Sequence, residues 1–178
     1  MALIVIDAGH GGNNPGAVYN GRQEKDDVLA LAIAVGRVLE QNGEKVYYTR
    51  TSDVYEAPYQ KAMEANALGA DYFVSIHRNS SPYPNQYPGV LTLVYSNFGE
   101  AARLARNINK QLIQTGFEDM GINEGTNLVV LNSTSMPAVL VEVGFINTDE
   151  DNRLFDERFD EIASAIADGI LETVKTRN

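Results

Sequence analysis

Leu3-Ile4-Val5-Ile6-Asp7-Ala8-Gly9-His10-Gly11-Gly12 begins with four apolar, largely β-branched residues and ends in a glycine-rich turn. A short apolar run of this kind reads as a buried strand. The glycine-rich segment behind it, with Gly9, Gly11, Gly12, Gly16 and Gly21, reads as the loop into which that strand runs. Moving outward, the alternation continues. Val28, Leu31, Ala32, Val35 and Leu39 recur at helical spacing and predict a helix from Glu24 to about Gln41, stopped by Asn42-Gly43. Strands are expected over residues 45–50 and 72–77, with a helix over 59–68 between them, which makes the first half βαβαβ.

Pro82, Pro84 and Pro88 mark an irregular loop, after which residues 90–95 form a strand. Leu104, Ile108, Leu112 and Ile113 place a core-facing stripe on a helix over about 99–115. Two further strands are expected at 128–131 and 138–145, and Ile162, Ile166, Ile170 and Val174 give a closing helix. Apolar strands alternating with helices imply an α/β fold. The expected architecture is a single domain with a mostly parallel, twisted sheet of about six strands and helices on both faces. A length of 178 residues agrees, since domains commonly run to about 100–200 residues.

Composition narrows the function. An apolar share of 44% supports a packed core, and the net charge of −10 repels phosphate backbones and anionic lipid, so neither nucleic acid nor a membrane is an expected partner. No run reaches the roughly 18 apolar residues of a membrane span. The first residues lack the basic start and long apolar stretch of an export signal, so the chain is expected either as a processed piece or as a protein released by lysis. With no cysteine, any metal must be held by histidine and carboxylate.

In a parallel sheet, ligands gather outside the carboxyl ends of the strands. Both histidines of the chain fall there: His10 just after the first strand and His77 at the end of the third. Glu24 stands in the first turn of the helix after the glycine loop, where its carboxylate faces back toward that loop; the helix dipole by itself also favours an acid there. Glu142 is the one charged residue in Ala138-Val139-Leu140-Val141-Glu142-Val143-Gly144-Phe145. A carboxylate in such a strand costs several kcal/mol unless it is paired, metal-bound or protonated, and burial raises its pKa toward the range useful for proton transfer. Two neutral imidazoles, one carboxylate ligand and a second carboxylate free to move protons are the parts of a hydrolytic zinc centre with a coordination position open for water. Zinc suits imidazole better than magnesium does.

Ile4-Val5-Ile6-Asp7-Ala8-Gly9-His10-Gly11-Gly12, Pro15-Gly16-Ala17, Glu24-Lys25, Ala65-Asn66, Ser75-Ile76-His77 and the run from Pro137 to Ile146 closely resemble the catalytic domain of zinc-dependent N-acetylmuramoyl-L-alanine amidases, the amidase family 3 type of bacterial autolysins and phage endolysins. The motifs agree in order over nearly the whole chain, which implies one catalytic domain over residues 1–178. The resemblance implies that His10, Glu24 and His77 are the zinc ligands and Glu142 the catalytic carboxylate. It also implies that the substrate is peptidoglycan, cut at the amide between the lactyl group of N-acetylmuramic acid and L-alanine. Action at the cell wall follows, with a monomer expected and a wall-binding domain or partner possible outside this chain.

Asp7 and Asn79, beside the two histidines, are candidates for orienting the imidazoles, although ordinary loop or strand-end hydrogen bonds would also account for them. Arg78, Lys61 and Met120 depart from the family pattern, which more often has a small residue, Arg and Arg at these places; they bear on subsite contacts. Two rivals stand beside the amidase reading. One is a zinc hydrolase of carboxypeptidase type with the same metal chemistry. The other is a non-catalytic phosphate or nucleotide binder using the glycine loop, although Asn14 occupies the place where a dinucleotide fingerprint starting at Gly9 needs its last glycine.

Overall fold

The computed structural model describes residues 1–177. In chain order the elements are β1 (Leu3–Ala8), a small hairpin of β2 (Val18–Tyr19) and β3 (Arg22–Gln23), α1 (Glu24–Gln41), β4 (Lys45–Tyr48), α2 (Pro58–Leu68), β5 (Tyr72–Asn79), β6 (Val90–Val94) and α3 (Gly99–Leu112). A single 3-10 turn follows α3, and then come β7 (Asp119–Glu124), α4 (Val129–Asn132), β8 (Ala138–Phe145), α5 (Asp149–Glu157) and α6 (Phe159–Lys175). Six strands form one sheet in the order β4-β1-β5-β8-β6-β7. All neighbours are parallel except β6 and β8.

The period-two alternation of the central strands sorts their side chains onto two faces. Ile4, Ile6, Tyr72, Val74, Ile76, Val139, Val141 and Val143 join the larger core with Leu31, Leu39, Leu104, Ile108, Ile162 and Ile166, so α1, α3 and α6 cover that face. Val5, Phe73, Ala138 and Leu140 point the other way, against Ala65 of α2 and Val130 and Leu131 of α4. The second layer is thinner. By the same alternation it leaves Asp7, Ser75, His77 and Glu142 on one face, with Asp7 in register with Ser75 and His77 with Glu142.

Two sequence expectations need correction. Residues 128–131 are not a strand: Leu131 and Asn132 donate backbone hydrogen bonds to the Leu128 carbonyl and Ser133 to that of Val129, which makes a helical turn. Four apolar residues carry too little periodicity to separate strand from helix, and packing of Val130 and Leu131 against α2 decides the outcome. The sixth strand is instead β7, Asp-Met-Gly-Ile-Asn-Glu, a mostly exposed sheet edge with little apolar pattern to mark it. α5 was also missed. Its first turn holds Asp149, Glu150 and Asp151, which suits a helix start but offers a short apolar stripe. Among the described residues no helix is long and apolar enough to cross a membrane.

Candidate metal and proton-transfer site

The carboxyl ends of β1, β5 and β8 and the start of α1 bring the four predicted residues to one edge of the sheet. His10 follows β1 in the left-handed region, at φ 61°, a conformation that costs a non-glycine residue energy and aims its ring across the sheet edge. Two cations hold the turn before it. Arg50 donates to the carbonyls of Ala8 (3.1 Å) and Gly9 (2.8 Å), and Lys61 Nζ donates to that of Ala8 (2.9 Å). Gly9 has no side chain because His77 occupies the space: a Cβ there would lie 2.3 Å from His77 Cε1. Gly16 is required for the same kind of reason, since a Cβ would meet Glu24 Oε2 at 2.5 Å, and its φ of 68° suits glycine.

Glu24 begins α1, and its carboxylate is fixed by two backbone amides: Ala17 N–H donates to Oε2 at 2.9 Å and Arg78 N–H to Oε1 at 3.0 Å. The same Oε1 lies 3.0 Å from His10 Nε2 and 3.0 Å from His77 Nδ1. The two rings meet edge to face with centroids 4.9 Å apart. Ligand atoms from His10, Glu24 and His77 all lie within 4.8 Å of one another, so this group could hold a metal ion. Burial alone would raise the Glu24 carboxyl, but hydrogen bonds from His10 and His77 outweigh it and hold the group well below the usual carboxylate range. For His77 burial opposes the charged form, while the Glu24 hydrogen bond and the charges of Glu142 and Glu24 win and raise its pKa.

Asn14 Oδ1, 2.9 Å from His10 Nδ1, is placed to accept a proton from that nitrogen, which leaves Nε2 as the ring nitrogen facing Glu24. Nothing in the sequence marked Asn14 or Arg50 beyond their nearness to the glycine loop and a strand end. Asp7 does not orient an imidazole. It lies 2.7 Å from Lys61 Nζ and accepts from Thr49 (2.7 Å) and Ser75 (2.6 Å). Asn79 Oδ1 accepts from the N–H of Ser80 at 2.9 Å, an ordinary strand-end bond.

Glu142 stands beside His77 on the next strand. Its Oε2 is buried with no hydrogen-bond partner, and burial, with the neighbouring Glu24 charge adding to it against His77, His10 and Arg78, pushes its carboxyl up to about 7. Next to the histidines opens a cleft of about 300 Å³, walled by the 55–58 segment on one side and the start of α4 on the other.

The three family departures separate here. Arg78 points to the opposite face from His77; its buried guanidinium pairs with Asp27 at 2.6 Å, donates to Asn152 at 2.7 Å and lies 4.3 Å from the Phe155 ring centroid. It does not line the cleft. Met120 is on the edge strand β7, outside the residues that line the cleft. Lys61 does line the cleft, with its ammonium committed to Asp7 and Ala8. The glycine loop offers no phosphate cradle, because the amides of Gly9, Gly11, Gly12 and Gly16 already donate to Ile76, Asn14, Asp53 and Asn14.

A mostly parallel α/β sheet with a His–Glu–His group and an unpaired carboxyl at its carboxyl edge defines an α/β protein with a candidate divalent-metal centre. The chain belongs to the N-acetylmuramoyl-L-alanine amidase family, whose sequence profile matches residues 4–172. It is 37% identical over 182 residues to the endolysin of Bacillus phage SPP1, covering 98% of this chain and 67% of that protein. It is 39% identical over 155 residues to the sporulation-specific N-acetylmuramoyl-L-alanine amidase of Bacillus subtilis strain 168, covering 85% of this chain and 59% of that one. The fold matches the catalytic domain of the amidase CwlV from Bacillus (Paenibacillus) polymyxa var. colistinus with a TM-score of 0.91 and 37% identity, over 99% of this chain and all of that domain. The resemblance read from the motifs is borne out, and membership of this family favours the amidase over the carboxypeptidase reading.

Proposed function

We propose that this chain hydrolyses the amide between the lactyl group of N-acetylmuramic acid and the L-alanine of the peptide stem in bacterial peptidoglycan. In this reading His10, Glu24 and His77 hold a zinc ion and Glu142 carries the proton. The donor set supports zinc: two imidazole nitrogens and one carboxylate oxygen lie within 4.8 Å of one another, and no thiolate is available. When bound, zinc would polarise the scissile carbonyl and lower the pKa of water at the site.

The observation that carries the reading is the solitary Glu142 carboxyl. A buried carboxyl oxygen without a partner is costly, and here Glu142 stands in register with His77. As the carboxylate it takes a proton from the attacking water. As the acid it returns that proton to the departing alanine nitrogen, so one group serves both halves of the reaction. Asn14 holds the Nδ1 edge of His10 so that Nε2 faces the group, and the amides of Ala17 and Arg78 orient the Glu24 carboxylate.

The test is mass spectrometry of digested peptidoglycan. New free L-alanine amino termini with intact glycan, abolished by chelation and restored by zinc, support the reading; new reducing ends or cuts within the stem overturn it. The charge of −10 opposes adsorption to an anionic wall, so targeting by a separate domain or partner belongs to the proposal. Comparing wall binding by this chain with that of a longer gene product tests it.

A further inference from the structure

The end of β5, the start of α1 and α5 meet at Arg78. The regular ladder is interrupted around this residue: β1 pairs with β5 no further than Ala8 and Ile76, and the register with β8 shifts between His77 and Asn79. The Arg78 backbone N–H turns instead to the Glu24 carboxylate, donating at 3.0 Å to Oε1, the same oxygen that faces His10 and His77. Its guanidinium, wholly buried, pairs with Asp27 at 2.6 Å. Glu24 and Asp27 are three residues apart in the first turn of α1 and so share one face of that helix. One residue therefore grips the start of α1 at two points.

The guanidinium is itself fixed from α5. Its second arm donates to Asn152 Oδ1 at 2.7 Å and lies 3.5 Å from the Phe145 carbonyl, and its central carbon is 4.3 Å from the Phe155 ring centroid. Asn152 in turn donates to the Ile146 carbonyl at 2.7 Å, which ties α5 to the chain leaving β8. A planar fork with donors in fixed directions serves Asp27 and Asn152 together, which a lysine ammonium on a flexible stem does not. A buried ion pair adds little net stability over an apolar replacement, and here Arg78 Nε has no partner at all. What the pair supplies is a fixed position.

We propose that Arg78 is a positioning residue of the metal site: its guanidinium clamps Asp27 while its amide holds Glu24, which sets the ligand carboxylate between the two histidines and couples α5 to the site. The proposal rests on the reading of His10, Glu24 and His77 as zinc ligands. Arg78 belongs neither to that group nor to the lining of the cleft, and acts only through Glu24.

Zinc affinity of the folded protein would be read by competition with a chromogenic chelator, beside urea unfolding of the zinc-free protein. Arg78→Met and Asp27→Asn should each weaken zinc binding by about 10–100-fold, the usual worth of a group that orients a metal ligand. Because the two act as one unit, the double variant should lose about as much as the weaker-binding single and not the product of both. It also removes both charges together, so it keeps the test where a single variant leaves a buried charge unpaired and does not fold. Arg78→Lys, which keeps the charge without the fork, should fall between wild type and Arg78→Met. Asn109→Ala controls for general loosening. It breaks a cluster with Thr92, Asp119 and Gly121 toward the β7 edge of the sheet, and should lower stability while zinc affinity stays within about twofold of wild type. Wild-type affinity in Arg78→Met or in the double variant, single losses that multiply, or an equal loss in Asn109→Ala overturns this inference and leaves the amidase reading standing. A wild-type protein that binds no zinc overturns both.

Discussion

Asp7, fully buried, and Glu142, half-buried, are acids on the same face of the sheet, on the strands that flank β5, one in register with Ser75 and the other with His77. Their surroundings differ completely. Burial alone would raise the Asp7 carboxyl, but the Lys61 charge and hydrogen bonds from Lys61, Ser75 and Thr49 hold it below its ordinary value. Glu142 has an orphaned oxygen and is pushed up to about 7. Opposite titration on one face of the sheet separates a fully buried carboxylate that holds the scaffold from a half-buried one poised to exchange a proton.

The sharpest test of this contrast starts at the metal group. His10→Ala should reduce both bound zinc and amide hydrolysis to background, measured by atomic emission and by release of L-alanine amino termini; zinc retained at full stoichiometry would remove His10 from the ligand set. Glu142→Gln should keep its zinc and lose about 10²–10⁴-fold in kcat, the usual worth of a general acid–base group. Its thermal stability should stay level or rise, because an unpaired buried acid is gone. A normal rate with lowered stability would show that Glu142 belongs with Asp7.

Lys61→Met should do the reverse. Leaving Asp7 buried without its cation costs about 3–5 kcal/mol in urea unfolding, and adding Asp7→Asn should recover part of the loss. Because the folded-state pKa of Asp7 is depressed, its contribution is present above the unfolded carboxylate pKa and is lost as pH falls through the folded value. The wild-type advantage over Lys61→Met should therefore shrink in acid. The smallest effect is expected for Asn14→Ala, with zinc affinity weaker by about 10–100-fold and stability little changed; unaltered affinity would mean that the His10 tautomer is set elsewhere.

Much of this was legible in the chain. The first strand, the βαβαβ half and the closing helix were readable because their apolar residues recur at unambiguous periods. The site was readable for a different reason: few residues can do its chemistry, both histidines sit at strand ends, and Glu142 interrupts an otherwise apolar strand. The edge strand β7 was not readable, since its exposed face imposes no apolar pattern, and the turn at α4 was too short to show a period. Asp7 and Arg78 looked like neighbours of the metal group and proved to be engaged with Lys61 and with Asp27, because strand alternation and the approach of α2, α1 and α5 choose their partners.

Residue order alone determined the α/β alternation, which face each central strand side chain takes, and which four side chains could form a hydrolytic centre. Only the tertiary structure decided that Asp7 would be satisfied and Glu142 Oε2 left without a hydrogen-bond partner. The reason is that hydrogen bonding and desolvation depend on groups brought together from distant parts of the chain, while periodicity records only whether a position faces inward.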